Sequence, residues 1–167
     1  MQYDLAVYGG TPAGVTAAIQ AAKLGRKVIL ISQNQHVGGM TSGGLTATDV
    51  GKEESIGGLA LEFYKRLGKL VDYSPSEAET LYRKMLDEAG ASVIYGSFLK
   101  SVEMKDGRIG SITLETGKTI KASVFIDSTY EGDLLAAAKV SYRVGREPVS
   151  ASDEPLNGQW QDVSWHT

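Results

Sequence analysis

The chain is 167 residues long, 42% hydrophobic and 22% charged, with a formal net charge of −3 and an isoelectric point near 5.4. That composition describes one domain with a real core, and its acidic balance gives no basis for a nucleic-acid partner. Cysteine is absent and histidine occurs only at His36 and His166, so disulfides, thiolate nucleophiles and cysteine-held clusters are excluded and no metal site is expected. No window reaches about 18 consecutive apolar residues, so no membrane span is expected. Met1-Gln2-Tyr3-Asp4 lacks the basic start of a signal peptide, and the expected location is cytoplasmic.

Leu5-Ala6-Val7-Tyr8 is an apolar run ending at Gly9-Gly10, which reads as a buried strand and a tight turn. A helix follows at once. Thr11 suits its N-cap and Pro12 its first position, where a missing N–H costs nothing. Val15, Ala18, Ile19 and Ala22 share one face, and Gly25 supplies the stop. Val28-Ile29-Leu30-Ile31 is a second buried strand, which completes a right-handed βαβ unit. Residues 32–58 are polar and rich in glycine pairs, a loop longer than compact domains tolerate without a function.

A short helix is expected over Leu59 to Leu67. Ser74-Pro75-Ser76-Glu77 is a capping box that opens an amphipathic helix ending at Gly90. Ser92 to Tyr95 reads as a third strand. Turn signals at Asp106-Gly107 and Thr116-Gly117 separate a three-stranded antiparallel meander, with Gly110 marking a bulge. Val124-Phe125-Ile126 reads as a further, separate strand ending at Asp127-Ser128-Thr129, and Leu134 to Ala138 starts a helix. From about Arg146 the pattern dissolves into a tail holding Trp160 and Trp165. The fold class is therefore α/β, with a mostly parallel sheet, helices on both faces and a small meander.

Gly9-Gly10-Thr11-Pro12-Ala13-Gly14 lies between a strand and a helix, where a dinucleotide-binding turn belongs. Free N–H groups and the dipole at the helix start attract a pyrophosphate. Gly9 allows the tight turn and Gly14 close helix–strand packing. Thr11 stands where the motif usually has its middle glycine. Its hydroxyl either bonds a phosphate oxygen or caps the helix. Ser32-Gln33 ends the second strand, where an acidic residue usually takes the ribose; either side chain makes a neutral hydrogen bond or is simply solvated. The segment His36-Val37-Gly38-Gly39-Met40-Thr41-Ser42-Gly43-Gly44-Leu45 adds a second close-approach surface, which a simple nicotinamide-binding domain does not need.

These segments, with Thr48-Asp49-Val50-Gly51, Ile56-Gly57-Gly58-Leu59, Val124 to Leu134 and Ser141 to Glu147, resemble the N-terminal part of FAD-dependent oxidoreductases of the two-dinucleotide-binding-domain type. The resemblance implies a Rossmann-like FAD-binding domain over residues 1–147 and an irregular tail over 148–167. Gly9, Gly10, Thr11, Pro12, Ala13 and Gly14 would hold the FAD pyrophosphate. Ser32 and Gln33 would lie at the adenosine ribose. His36, Gly38, Gly39, Met40, Thr41 and Ser42 would follow the pyrophosphate, ribityl chain and flavin edge. Leu99 would meet the adenine through its backbone, and Ser128 and Thr129 would close that end.

The implied activity is hydride transfer between FAD and an unknown small-molecule substrate, with no catalytic residue singled out. Such enzymes are longer, so the chain reads as the first portion of one. A face left bare by a missing domain would support self-association. Two rival readings stand beside this one: a non-catalytic nucleotide-binding remnant or interaction module, and an NAD(P)-dependent Rossmann oxidoreductase. Asp49 reads as a turn former or a substrate-orienting group, Asp127 as a backbone or cofactor contact, and Asp133 as the cap of the helix it precedes.

Overall fold

The computed structural model describes residues 2–45, 47–49 and 51–145. In chain order these form β1 (Gln2–Tyr8), α1 (Pro12–Lys23), β2 (Val28–Ile31), α2 (Gly39–Ser42), a 3-10 turn (Glu53–Ser55), α3 (Gly58–Leu67), α4 (Pro75–Ala89), β3 (Ser92–Ile94), β4 (Leu99–Lys105), β5 (Arg108–Leu114), β6 (Thr119–Asp127) and α5 (Asp133–Ala137). Arg146, Trp160, Trp165 and the expected 148–167 tail lie outside the described residues.

The six strands make one sheet in the order β3-β2-β1-β6-β5-β4. β1 runs parallel to β2 and β6, and β2 parallel to β3. Tyr8 stands opposite both Ile31 and Asp127, and Ile31 opposite Ile94, so four strands finish level at one edge. In open parallel sheets that carboxyl edge is where ligands bind. β2 is buried along its whole length because elements cover both its faces, which is why it reads as an unbroken apolar run.

Alternate strand residues feed two cores. On one face Leu5, Val7, Val28 and Leu30 pack beneath Val15 and Ile19 of α1, Phe63 of α3, and Tyr82 and Leu86 of α4. Phe63 stacks on Tyr82 with ring centroids 4.1 Å apart, and burial pushes the Tyr82 phenol up to about 12. On the other face Ala6, Tyr8, Ile29 and Ile31 meet Ile112 and Leu114 of β5, Ile120 of β6 and Leu134 of α5. The meander curls back over this face, where the Leu99 N–H donates to the Tyr8 hydroxyl at 2.8 Å.

Two expectations change. Ile120 and the Val124–Ile126 run belong to one nine-residue strand rather than two. β6 pairs antiparallel with β5 only over Thr119 to Lys121, yet parallel with β1 as far as Asp127. Its burial alters where β5 departs, leaving Val124 53% exposed, so no single periodicity spans it. The long loop after β2 is interrupted by the one-turn α2 and by the 3-10 turn. The Gly110 bulge is present: pairing steps from Glu103 opposite Ser111 to Met104 opposite Ile109, leaving Gly110 with no partner position.

Candidate functional site

A groove of about 800 Å³ opens at the carboxyl edge of the sheet. Gly10 and Thr11 line it from the β1–α1 turn, Ser32 to His36 from the end of β2, and Gly39 and Ser42 to Gly44 from α2. Pro75, Ser76 and Glu79 of α4 form one bank; Thr129, Tyr130 and Glu131, after β6, form another. The two glycine-rich segments are stitched together directly, since the Gly38 N–H donates to the Gly10 carbonyl at 2.7 Å. Ser42 holds the second segment by donating from its hydroxyl to the Val37 carbonyl at 2.5 Å.

The first turn owes its shape to close backbone approach. Gly9 has φ +115°, and a Cβ there would lie 2.6 Å from the Ser128 carbonyl carbon. A Cβ on Gly14 would overlap the Gly9 carbonyl oxygen. Thr11 resolves toward the cap: its hydroxyl accepts from the Gly14 N–H at 3.2 Å and donates to the Ser128 carbonyl at 2.7 Å. Pro12 has no N–H, and that of Ala13 has no partner within the helix. Ser128 lies behind the groove and donates to the carbonyls of Tyr8 and Gly9 at 3.0 and 2.8 Å.

No lysine or arginine lines the groove among the described residues. A bound anion there depends on backbone N–H groups and the opening of α1. The volume and the glycine-walled cradle fit a dinucleotide, whose pyrophosphate needs backbone within reach and no Cβ in between.

Of the expected site residues, Gly10, Thr11, Ser32, Gln33, His36, Gly39, Ser42 and Thr129 line this groove. Gly9 lies in the turn before α1, Pro12, Ala13 and Gly14 form the first turn of α1, and Gly38, Met40 and Thr41 belong to the α2 segment; none of them lines the groove. The Ser32 hydroxyl is occupied by the His36 carbonyl at 2.7 Å. Leu99 lines a second, smaller cavity of about 340 Å³ together with Tyr8, Phe98 and Asp133. Asp49 is exposed and lies apart from both.

Several contributors are not legible as such in the sequence. His36 Nδ1 lies 2.8 Å from Glu79, which also accepts from Arg83 at 2.6 Å; Arg83 in turn donates to the Gln35 carbonyl at 2.7 Å. This network pins the loop after β2 to α4. Burial pushes the Glu79 carboxyl upward, but the hydrogen bonds from His36 and Arg83 and the Arg83 charge outweigh it, and the group is held below its usual value.

Asp127 bonds backbone: it accepts from the N–H and hydroxyl of Thr129 at 2.9 and 2.7 Å and from the Leu135 N–H at 2.7 Å. Thr129 accepts from the N–H groups of Gly132 and Asp133 at 2.9 and 3.0 Å. Asp127 and Thr129 therefore take up free N–H groups at the start of α5, and Asp133 is its first residue rather than its cap. An Asp-x-Thr spacing after a strand is the signal that predicts such a turn. Tyr130 spans the groove, its hydroxyl accepting from the Met40 N–H at 2.9 Å.

A family model described as FAD dependent oxidoreductase matches residues 4–165. The chain belongs to that family. The match continues past residue 147, where the motifs quoted above end. FAD is the cofactor that membership assigns to this domain. A thiamine thiazole synthase of Thermotoga maritima is 26% identical over 133 residues, 76% of this chain and 52% of that protein. A vinyl phenol reductase of Lactiplantibacillus plantarum is 34% identical over 96 residues, 54% of this chain and 19% of that protein. Among solved structures, L-proline dehydrogenase from P. horikoshii superposes with a TM-score of 0.64 at 16% identity, covering 88% of this chain and 58% of that one, which shows a shared fold. The chain thus spans about half of the thiazole synthase it matches.

Proposed function

We propose that this chain is the nucleotide-holding portion of an enzyme that transfers hydride between a small-molecule substrate and FAD. The supporting observation is the Gly38–Gly10 hydrogen bond, which puts both glycine-rich segments on one groove at the carboxyl edge of the sheet. In this reading Gly9 to Gly14 receive the pyrophosphate, with the Ala13 N–H and the α1 dipole supplying the positive field. Gly39 and Ser42 border the path onward from it, with Gly38, Met40 and Thr41 shaping α2 around it. Ser32 and Gln33 flank the ribose, Leu99 and Thr129 lie toward the base, and Ser128 braces the pyrophosphate turn from behind. When bound, the flavin supplies the hydride-accepting ring; the protein supplies binding, orientation and exclusion of water. The Glu79–His36–Arg83 network keeps the groove wall in register with α4.

The test is the absorption spectrum of purified protein before and after addition of FAD, followed by gel filtration. Flavin bands that travel with the protein are the expected result. Protein that takes up ADP but never flavin would favour the non-catalytic remnant. Hydride transfer from a nicotinamide without flavin would favour the NAD(P) alternative.

A further inference from the structure

Tyr130 ties the bank that follows β6 to α2, and the cofactor reading above gives it no task. Its hydroxyl accepts from the Met40 N–H, while its ring lines the groove beside Thr129 and Glu131. Gly39 makes that reach possible. It has φ +47°, and a Cβ there would overlap the Tyr130 hydroxyl and lie 3.0 Å from Pro12 Cδ. Gly39 therefore leaves room for the phenol as well as for the head of α1. The contact sits beside Pro12, where the groove passes from the β1–α1 turn to the α2 segment.

The backbone that carries Tyr130 is fixed. Thr129 is bonded to Asp127 through its N–H and its hydroxyl, and that hydroxyl also accepts from Gly132 and Asp133. The Tyr130 side chain is 55% exposed, so a change of χ1 rotamer swings the phenol clear while the backbone stays in place. A neutral hydrogen bond of this kind shifts such an equilibrium by about fivefold.

We infer that Tyr130 is a strap across the groove: it opens to admit the dinucleotide and closes over it again, setting how fast the cofactor exchanges rather than how tightly it is held. The inference rests on the FAD-binding reading above and adds the step that governs entry and release. A dinucleotide lying along both glycine-rich segments has to pass the Tyr130–Met40 contact on its way in. Exposed side chains change rotamer far faster than a ligand arrives. Entry therefore scales with the fraction of time the strap is open in the empty protein, and release with that fraction in the loaded protein. The hydroxyl lowers both fractions alike, so its effect cancels from the equilibrium.

The experiment is stopped-flow measurement of FAD association and dissociation by flavin fluorescence, on the full chain freed of cofactor. Amide exchange of the Met40 N–H is measured on the same empty protein. Tyr130→Phe keeps the ring and removes the hydroxyl. The expected result is that association and dissociation both quicken about fivefold, that Kd moves by less than about twofold, and that Met40 exchanges faster by a similar factor. Tyr130→Ala, which removes the ring as well, quickens both rates at least as far. A hydroxyl that bonds the cofactor directly would quicken dissociation alone and raise Kd in proportion, and that result overturns the strap. So does a Met40 N–H that exchanges equally in wild type and Tyr130→Phe, or a pair of rates that Tyr130→Phe leaves unchanged. Wild-type protein whose Met40 is protected by Tyr130 but which takes up no FAD overturns the FAD reading, and the strap's part in cofactor exchange with it.

Discussion

Thr11→Val separates a structural hydroxyl from a phosphate contact. Valine keeps the shape of Thr11 and removes only the group that accepts from Gly14 and donates to Ser128. Losing the N-cap is worth about 1 kcal/mol. Leaving the Ser128 carbonyl without this partner, beside a residue only 7% exposed, adds about 1–2 kcal/mol. The total of about 2–3 kcal/mol, at roughly 2–4 °C per kcal/mol for a chain of this size, lowers Tm by about 4–12 °C. Thr11→Ser keeps the hydroxyl and recovers most of that loss. The assay is thermal unfolding followed by circular dichroism with no nucleotide added, because both bonds are internal to the protein. If Thr11→Val left the ligand-free Tm unchanged and only weakened FAD binding, the hydroxyl would be a phosphate ligand and the stapling account would be wrong.

Gly14→Ala drives a Cβ into the Gly9 carbonyl, and backbone cannot swing aside as a side chain can; we expect a loss of about 1–3 kcal/mol in urea unfolding and loss of retained FAD. Alanine normally stabilises a helix interior by about 1 kcal/mol over glycine, so a rise in Cm would refute the close packing. Asp127→Asn removes a charged acceptor shared by Thr129 and Leu135, and about 1.5–3 kcal/mol with it. Faster amide exchange over residues 128–135 is the expected signature, and exchange unchanged there would contradict the anchoring role. Glu79 has a folded-state pKa below its ordinary 4.5, so its contribution is present above that pH and lost as pH falls through the folded value. Glu79→Gln should flatten the decline of Tm below pH 4.5, with Glu77 and Glu88, also held low, keeping part of the slope.

Local chemistry made much of the scaffold legible. The Ser74 capping box, Pro12 at the head of α1 and the unbroken apolar β2 announce their elements because each depends on contacts within a few residues. The Gly110 bulge is legible for the same reason. The continuity of β6 is not, because its partners change along its length and each imposes a different burial pattern. Nor is the role of Thr11, whose decisive acceptor, Ser128, lies 117 positions away.

By itself the sequence determined that a strand, a glycine turn and a helix open the chain, and that a second glycine-rich segment follows; steric demands on a backbone without Cβ are local and written residue by residue. Only the tertiary structure decided that those two segments share one groove, that Asp127 and Thr129 shape its far bank, and that Asp133 reaches Gln33. Such contacts exist only once parallel strands from opposite ends of the chain have paired level, which brings their loops to a common edge that no local pattern encodes.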